Sequence, residues 1–151
     1  MNDAEYMRLA LALAEQGRGW TAPNPMVGAV IVKDGAVIGQ GWHERYGEPH
    51  AERNALASCT ADPAGATMYV TLEPCPMCAG AIMNARIPRI VYGAKDTVNG
   101  CCGSAVDLFM LPCSQKPEIV SGVLEEEASA LLSGFFRRLR EKRKKSDGVV
   151  P

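Results

Sequence analysis

Two short segments hold the side chains most able to do chemistry: His50-Ala51-Glu52 and Pro74-Cys75-Pro76-Met77-Cys78. Cys75 and Cys78 are three residues apart, so in the first turn of a helix both sulfurs lie on one face. A helix N-terminus lowers thiolate pKa values, and Zn2+ binds the thiolate form. His50, just after Pro49, opens a second helix and offers an imidazole as third ligand. Three protein ligands leave the fourth tetrahedral corner of one zinc ion open to water, which is the catalytic arrangement. Zinc brings the pKa of such a water from about 9 towards about 7. Glu52, two residues past His50, then stands beside the water and off the metal. That pairing suits hydrolysis of an amino group on an aromatic ring. The water loses a proton, the ring nitrogen gains one, and the amine leaves as ammonia, with one carboxylate carrying each proton.

Other uses of these residues are open to the sequence. A redox Cys-x-x-Cys would leave His50 and Glu52 without a role. A closed structural zinc site would need a fourth ligand from Cys59, Cys101, Cys102, Cys113 or His43. Cys101 and Cys102, between Gly100 and Gly103, read as small packed or loop residues of undetermined role, and Met77, Met83 and Met110 read as core fillers.

Hydrophobic periodicity supplies the elements that position these groups. Asp3 to Gln16 carries an apolar stripe at helical spacing (Tyr6, Met7, Leu9, Ala10, Leu13, Ala14) and ends at Gly17 and Gly19. Pro23-Asn24-Pro25 marks an ordered loop. Val27–Lys33 and Ala36–Trp42 form a hairpin about Asp34-Gly35. His50–Cys59 is a helix, Ala66–Leu72 a third strand, a helix runs from Pro74 to about Arg86, and Pro88–Ala94 is a fourth strand. After a loop-rich stretch with a helical turn near Val106–Leu111, Glu118–Ser121 is a short strand and Leu124–Lys145 a long amphipathic helix. A hairpin followed by β-α-β units predicts an α/β fold, a central mixed sheet with helices on both faces, as one domain over 1–151.

Composition excludes several classes. Among 151 residues, 47% hydrophobic and 22% charged, no apolar run approaches the ~20 residues of a membrane span. The start Met1-Asn2-Asp3-Ala4-Glu5 is not a secretory leader. The default address is therefore cytoplasmic, and the six cysteines are expected as thiols or metal ligands. Net charge is −1, yet Arg137–Lys145 holds seven basic residues and one acid. That basic helix end, continuing into the tail at 137–151, either grips a polyanion or is a solvated terminus favoured by the helix dipole.

His-x-Glu followed by Pro-Cys-x-x-Cys is the signature of zinc nucleobase deaminases, and the chain resembles the cytidine deaminase-like superfamily. The resemblance implies a five-stranded sheet in a three-layer α/β/α fold, one zinc per chain, a nucleobase substrate and a homodimer. From Tyr6 to Leu72 the sequence is similar to the pyrimidine deaminase domain of riboflavin biosynthesis, in Pro23-Asn24-Pro25-Met26-Val27-Gly28, Gly41-Trp42-His43 and Gly47-Glu48-Pro49-His50-Ala51-Glu52. From Thr71 to Lys145 it is similar to bacterial tRNA-specific adenosine deaminases, in Thr71-Leu72-Glu73-Pro74-Cys75, Met77-Cys78-Ala79-Gly80-Ala81, Tyr92-Gly93-Ala94-Lys95-Asp96, Gly103-Ser104 and Phe135-Phe136-Arg137. The two patterns overlap at Thr71–Cys75, as a recombination or engineering junction would.

Both patterns are incomplete. The insert between the cysteine ligands and the following reductase domain of the riboflavin enzyme are missing, and so are the tRNA enzymes' Asn near His43 and their Asn-His pair at Ser114-Gln115-Lys116. The resemblance implies substrate contacts at Asn24, His43, Ala51 and Asp96, and nucleic-acid contacts at Phe135, Phe136, Arg137, Arg138 and Arg140. Asn24 also reads as a turn former, His43 as a hairpin-end residue and the two Phe as core contacts. The expected reaction is deamination of adenosine in a tRNA anticodon loop, with the riboflavin pyrimidine or a free nucleobase as other substrates. A zinc-stabilised RNA-binding module is the non-catalytic counterpart.

Overall fold

The N-terminal helix is closed by its first residues. Asn2 accepts from the backbone of Glu5, and the Glu5 side chain accepts in return from the Asn2 backbone, a capping box that satisfies two otherwise unpaired donors. In the computed structural model, which describes residues 1–112 and 115–147, this helix is α1 (Asp3–Glu15). It is followed by β1 (Gly28–Lys33), β2 (Ala36–Trp42), α2 (Ala51–Ala57), β3 (Thr67–Leu72), α3 (Pro76–Asn84), β4 (Arg89–Ala94), a 3-10 turn (Leu108–Met110), β5 (Glu118–Val120) and α4 (Glu125–Asp147). Each element expected from periodicity is present within a few residues.

The five strands form one sheet in the order β2-β1-β3-β4-β5. β1 is antiparallel to both β2 and β3, whereas β3, β4 and β5 run parallel. The mixed sheet follows from the connections: a two-residue turn at Asp34-Gly35 joins antiparallel strands, while longer crossovers, through α3 from β3 to β4 and through the loop with the 3-10 turn from β4 to β5, join parallel ones. Side-chain alternation divides the core. Met7, Ala10 and Leu13 of α1 pack on Val30, Val32, Tyr69 and Val91. On the opposite face Ala55 of α2 and Ala79 and Ile82 of α3 pack on Ile31, Met68, Val70 and Ile90. α4 lies on the α1 side, with Phe135 against Ala14 and Met26. The result is three layers.

Close approach of helix to sheet depends on two glycines. A Cβ at Gly28 would lie 1.9 Å from the Ala10 carbonyl oxygen, and one at Gly41 would lie 2.6 Å from the Ala55 nitrogen. Larger residues there would push α1 and α2 off the sheet.

An ion-pair network ties α1 to the far strands. Arg89 forks onto both Asp3 carboxylate oxygens (3.0 and 2.8 Å) and reaches Glu118 at 3.1 Å, while the Tyr69 hydroxyl donates to Asp3 at 2.7 Å. The Arg89 hydrogen bonds hold the Asp3 carboxyl below its ordinary 3.8, against the upward push of burial. A depressed carboxyl pKa stabilises the fold above the ordinary value and loses that stabilisation as pH falls through the folded one. Asp3→Asn is therefore expected to cost about 1 kcal/mol at pH 7, a figure already discounted for partial exposure. The urea-unfolding difference from the parent should shrink below about pH 4; a difference that does not change with pH contradicts this account.

Two of the three methionines expected in the core lie outside it. Met83 packs against the core, but Met77 is 62% and Met110 65% exposed. Met77 is the second residue of α3 and Met110 ends the 3-10 turn, so neither has a facing layer. Cys101 and Cys102 are buried in the core. Cys113, Ser114 and the tail at 148–151 lie outside the described residues.

Candidate active site

His50 and Cys75 are the N-caps of α2 and α3, and neither side chain caps its helix. Ser, Asp or Asn in such a position would stabilise a helix by about 1 kcal/mol. Here the side chains turn towards one another instead. Pro76 at the first helical position restricts Cys75 to extended backbone (φ −78°, ψ 176°), so the helix starts one residue later. Cys78 follows one turn on and is fully buried.

The His50 Nδ1 atom is 3.6 Å from the Cys75 sulfur and 3.5 Å from the Cys78 sulfur. Bond lengths of about 2.0 Å to nitrogen and 2.3 Å to sulfur in a tetrahedral zinc site place such donors about 3.6 Å apart. The His50 nitrogen thus stands at zinc-site separation from both sulfurs, and all three donor atoms lie within 4.8 Å of one another. The three groups also interact electrostatically. Cys75 is held down at about 4, chiefly by the Cys78 thiol and then by His50, while donation to Cys75 pushes Cys78 up and the Cys75 thiolate raises His50. Among the described residues no His, Cys, Asp or Glu joins these three as a fourth ligand. The donor set matches an open site, and Cys59, Cys101, Cys102 and His43 do not close it.

Beside the ligands is a cavity of about 350 Å3. Glu52 lines it and is 4% exposed, and burial pushes its carboxyl up to about 7. Asn24, His43 and Asp96 line it as well. His43 is buried, its ring edge-on to His50, and not a surface hairpin residue. Its Nδ1 is 3.1 Å from the Pro49 carbonyl oxygen and its Nε2 is 3.3 Å from Asn24 Nδ2. A carbonyl partner requires the proton on Nδ1, so Nε2 accepts from the Asn24 amide and the Asn24 carbonyl is directed away from the ring. Asn24 is also in a turn, its backbone donating to Thr21. Ala51 is fully buried in the core and does not line the cavity.

The remaining expected contacts are elsewhere. Phe135 is buried and Phe136 is 38% exposed, their rings edge to face at 5.2 Å. Arg137, Arg138 and Arg140 are exposed on α4. Arg138 lines a separate groove of about 180 Å3 with Arg18, Lys142, Phe135, Ala22 and Met26. Sequence reasoning did not assign roles to Glu73 and Asn99, both on the cavity wall. An acid immediately before Pro74-Cys75 was the only local sign of Glu73, and nothing local marks Asn99.

With this geometry in place, the family description "cytidine and deoxycytidylate deaminase zinc-binding region" matches residues 1–94. The chain belongs to this family of zinc deaminases. It is 43% identical to riboflavin biosynthesis protein RibD of Actinobacillus pleuropneumoniae, over 95% of this chain and 39% of that protein. It is 44% identical to the tRNA-specific adenosine deaminase of Bacillus subtilis, over 94% of this chain and 93% of that protein. Among solved structures, the diaminohydroxyphosphoribosylaminopyrimidine deaminase/5-amino-6-(5-phosphoribosylamino)uracil reductase of Thermotoga maritima superposes with a TM-score of 0.79 at 39% identity. It covers 93% of this chain and 42% of that one. The chain thus spans about two fifths of RibD. Both kinds of relative align through the 71–75 overlap. No helix among the described residues is long and apolar enough to cross a membrane.

Proposed function

We propose that the chain is a zinc-dependent hydrolytic deaminase acting on adenosine in a tRNA anticodon loop. His50, Cys75 and Cys78 hold one zinc, which when bound supplies a Lewis acid that makes water nucleophilic at neutral pH. Glu52 takes one proton from the attacking water and passes it to the ring nitrogen, then carries the remaining proton of the added hydroxyl to the amine, which leaves as ammonia. Asn24, His43 and Asp96, which line the cavity, orient the base there. The reading takes 1–151 as one cytoplasmic domain that works as a homodimer.

The observation that supports a polymeric substrate is the segment 22–26. Asn24 and Pro25 face the cavity, while Ala22 and Met26 face the groove with Arg18, Arg138 and Lys142. One short loop thus separates the base site from three cations. Arg18 pairs with Glu15 at 2.6 Å on the surface, an interaction worth under about 1 kcal/mol that a phosphate can displace. An unpaired anticodon base splayed into the cavity would leave its flanking phosphates on the outer side of the loop.

The test is ammonia release from a panel: tRNA with a wobble adenosine, the riboflavin pyrimidine intermediate, cytidine, guanine and adenine. Inosine formation in the tRNA is expected. Release from small molecules alone rejects the polymer reading, and binding without release from any of them leaves an RNA-binding module. The Asn24–His43 pair favours the pyrimidine as second reading, because that pair belongs to the stretch similar to riboflavin deaminases. Arg138→Glu with Lys142→Glu is expected to weaken tRNA binding at least tenfold. It should also flatten the salt dependence by about 0.7 per lost single-strand phosphate contact. An unchanged salt slope removes the groove from the interface.

A further inference from the structure

We propose that Glu73 is a positioning residue that sets the substrate-facing wall of the cavity relative to the zinc ligands. It stands at the end of β3, immediately before Pro74-Cys75, and is 2% exposed. Its backbone nitrogen donates to the Ala94 carbonyl at 2.9 Å, extending the pairing of β3 with β4 into the site. Its carboxylate then serves the following loop. One oxygen accepts from the backbone of Cys102 (3.0 Å) and Ser104 (3.1 Å); the other accepts from the backbone of Asp96 (3.3 Å) and from the Ser104 hydroxyl. Pro74 adds a fifth tie, its carbonyl accepting from Cys101 at 2.9 Å.

The loop is shaped to wrap this one side chain. A Cβ at Gly100 would lie 2.5 Å from the Glu73 carboxyl carbon and 2.3 Å from the Asp96 carbonyl oxygen, so only glycine lets the chain pass. Asp96 turns its Oδ1 back onto the Val98 and Asn99 nitrogens at 3.0 and 2.9 Å. The two cavity-lining residues of the loop, Asp96 and Asn99, are therefore held at the near end of a bracket whose far end is Ser104. Because Glu73 and Cys75 are two residues apart in the short link between β3 and α3, the bracket carries the position of the candidate metal ligands to the loop that lines the cavity. Four donors converge on two oxygens, and no neutral side chain of the same shape can accept all four.

Glu73→Gln turns an amide NH2 towards backbone donors whichever way it flips. The inference rests on the deaminase reading, so one arm is free of substrate. Amide hydrogen exchange at Asp96, Cys102 and Ser104 is expected to speed up at least tenfold in Glu73→Gln, while the β3 amides of 67–72 and the zinc content stay at parent values. With substrate, KM should rise tenfold or more and kcat fall less than threefold. Ser104→Ala, which deletes one hydroxyl and leaves the backbone donors in place, should show the same pattern about threefold in KM, and decides the matter if Glu73→Gln does not fold. Exchange that stays at parent rates, zinc loss with an intact fold, or a fall in kcat at constant KM overturns the assignment. A parent enzyme that releases ammonia from no substrate overturns the deaminase reading alone, since the exchange arm still reads the bracket.

Discussion

Glu52→Gln is expected to lower ammonia release by about 10²–10⁴-fold, the range for losing a positioned proton carrier, with one zinc per chain retained. Three carboxylates line the cavity: Glu52, Glu73 and Asp96. Glu73 is occupied by four donors, and Asp96 accepts from two backbone nitrogens of its own loop. Only Glu52 is in the first turn of α2, two residues from a ligand and walled from bulk water. Glutamine keeps its shape and removes its ability to take up a proton. Single-turnover ammonia release and metal analysis of the same preparation check the expectation. A variant that keeps the parent rate ends Glu52's role in proton transfer.

Cys78→Ser is expected to abolish metal binding and activity together. The sulfur is fully buried at 3.5 Å from His50 Nδ1, and a serine hydroxyl is both shorter and a poor zinc ligand at neutral pH. The effect should also appear in stability. A ligand present at a hundred times its Kd stabilises the folded state by about 2.7 kcal/mol, so a chelator should lower the melting temperature of the parent by several degrees and leave Cys78→Ser unmoved. Zinc at one per chain in purified Cys78→Ser, or a parent insensitive to strong chelators, removes the metal from the site.

The candidate ligand set was legible because its determinants are local. Cys75 and Cys78 lie one turn apart at the start of α3, where Pro76 takes the first helical position, and His50 is the N-cap of α2 directly after Pro49. The strands and helices were legible for the same reason, since periodicity is a property of ten consecutive residues. Contacts across the sheet were not. His43 read equally as a surface residue until the hairpin laid it under the 22–26 loop, where Asn24 and Pro49 complete its hydrogen bonds. Phe135 and Phe136, adjacent in sequence, diverge into core and surface because only one side of α4 meets Ala14 and Met26.

Spacing along the chain, then, specified which side chains could hold an ion and which carboxylate follows the first of them, because helix geometry converts a three-residue interval into a shared face without help from elsewhere. The order of strands decided the remainder. Placing β1 between β2 and β3 carries residue 24 to the ligands at 50, 75 and 78, and parallel pairing of β3 with β4 brings Glu73 to Asp96. Those meetings depend on burial and pairing between segments tens of residues apart, for which no short window of residues carries a signal.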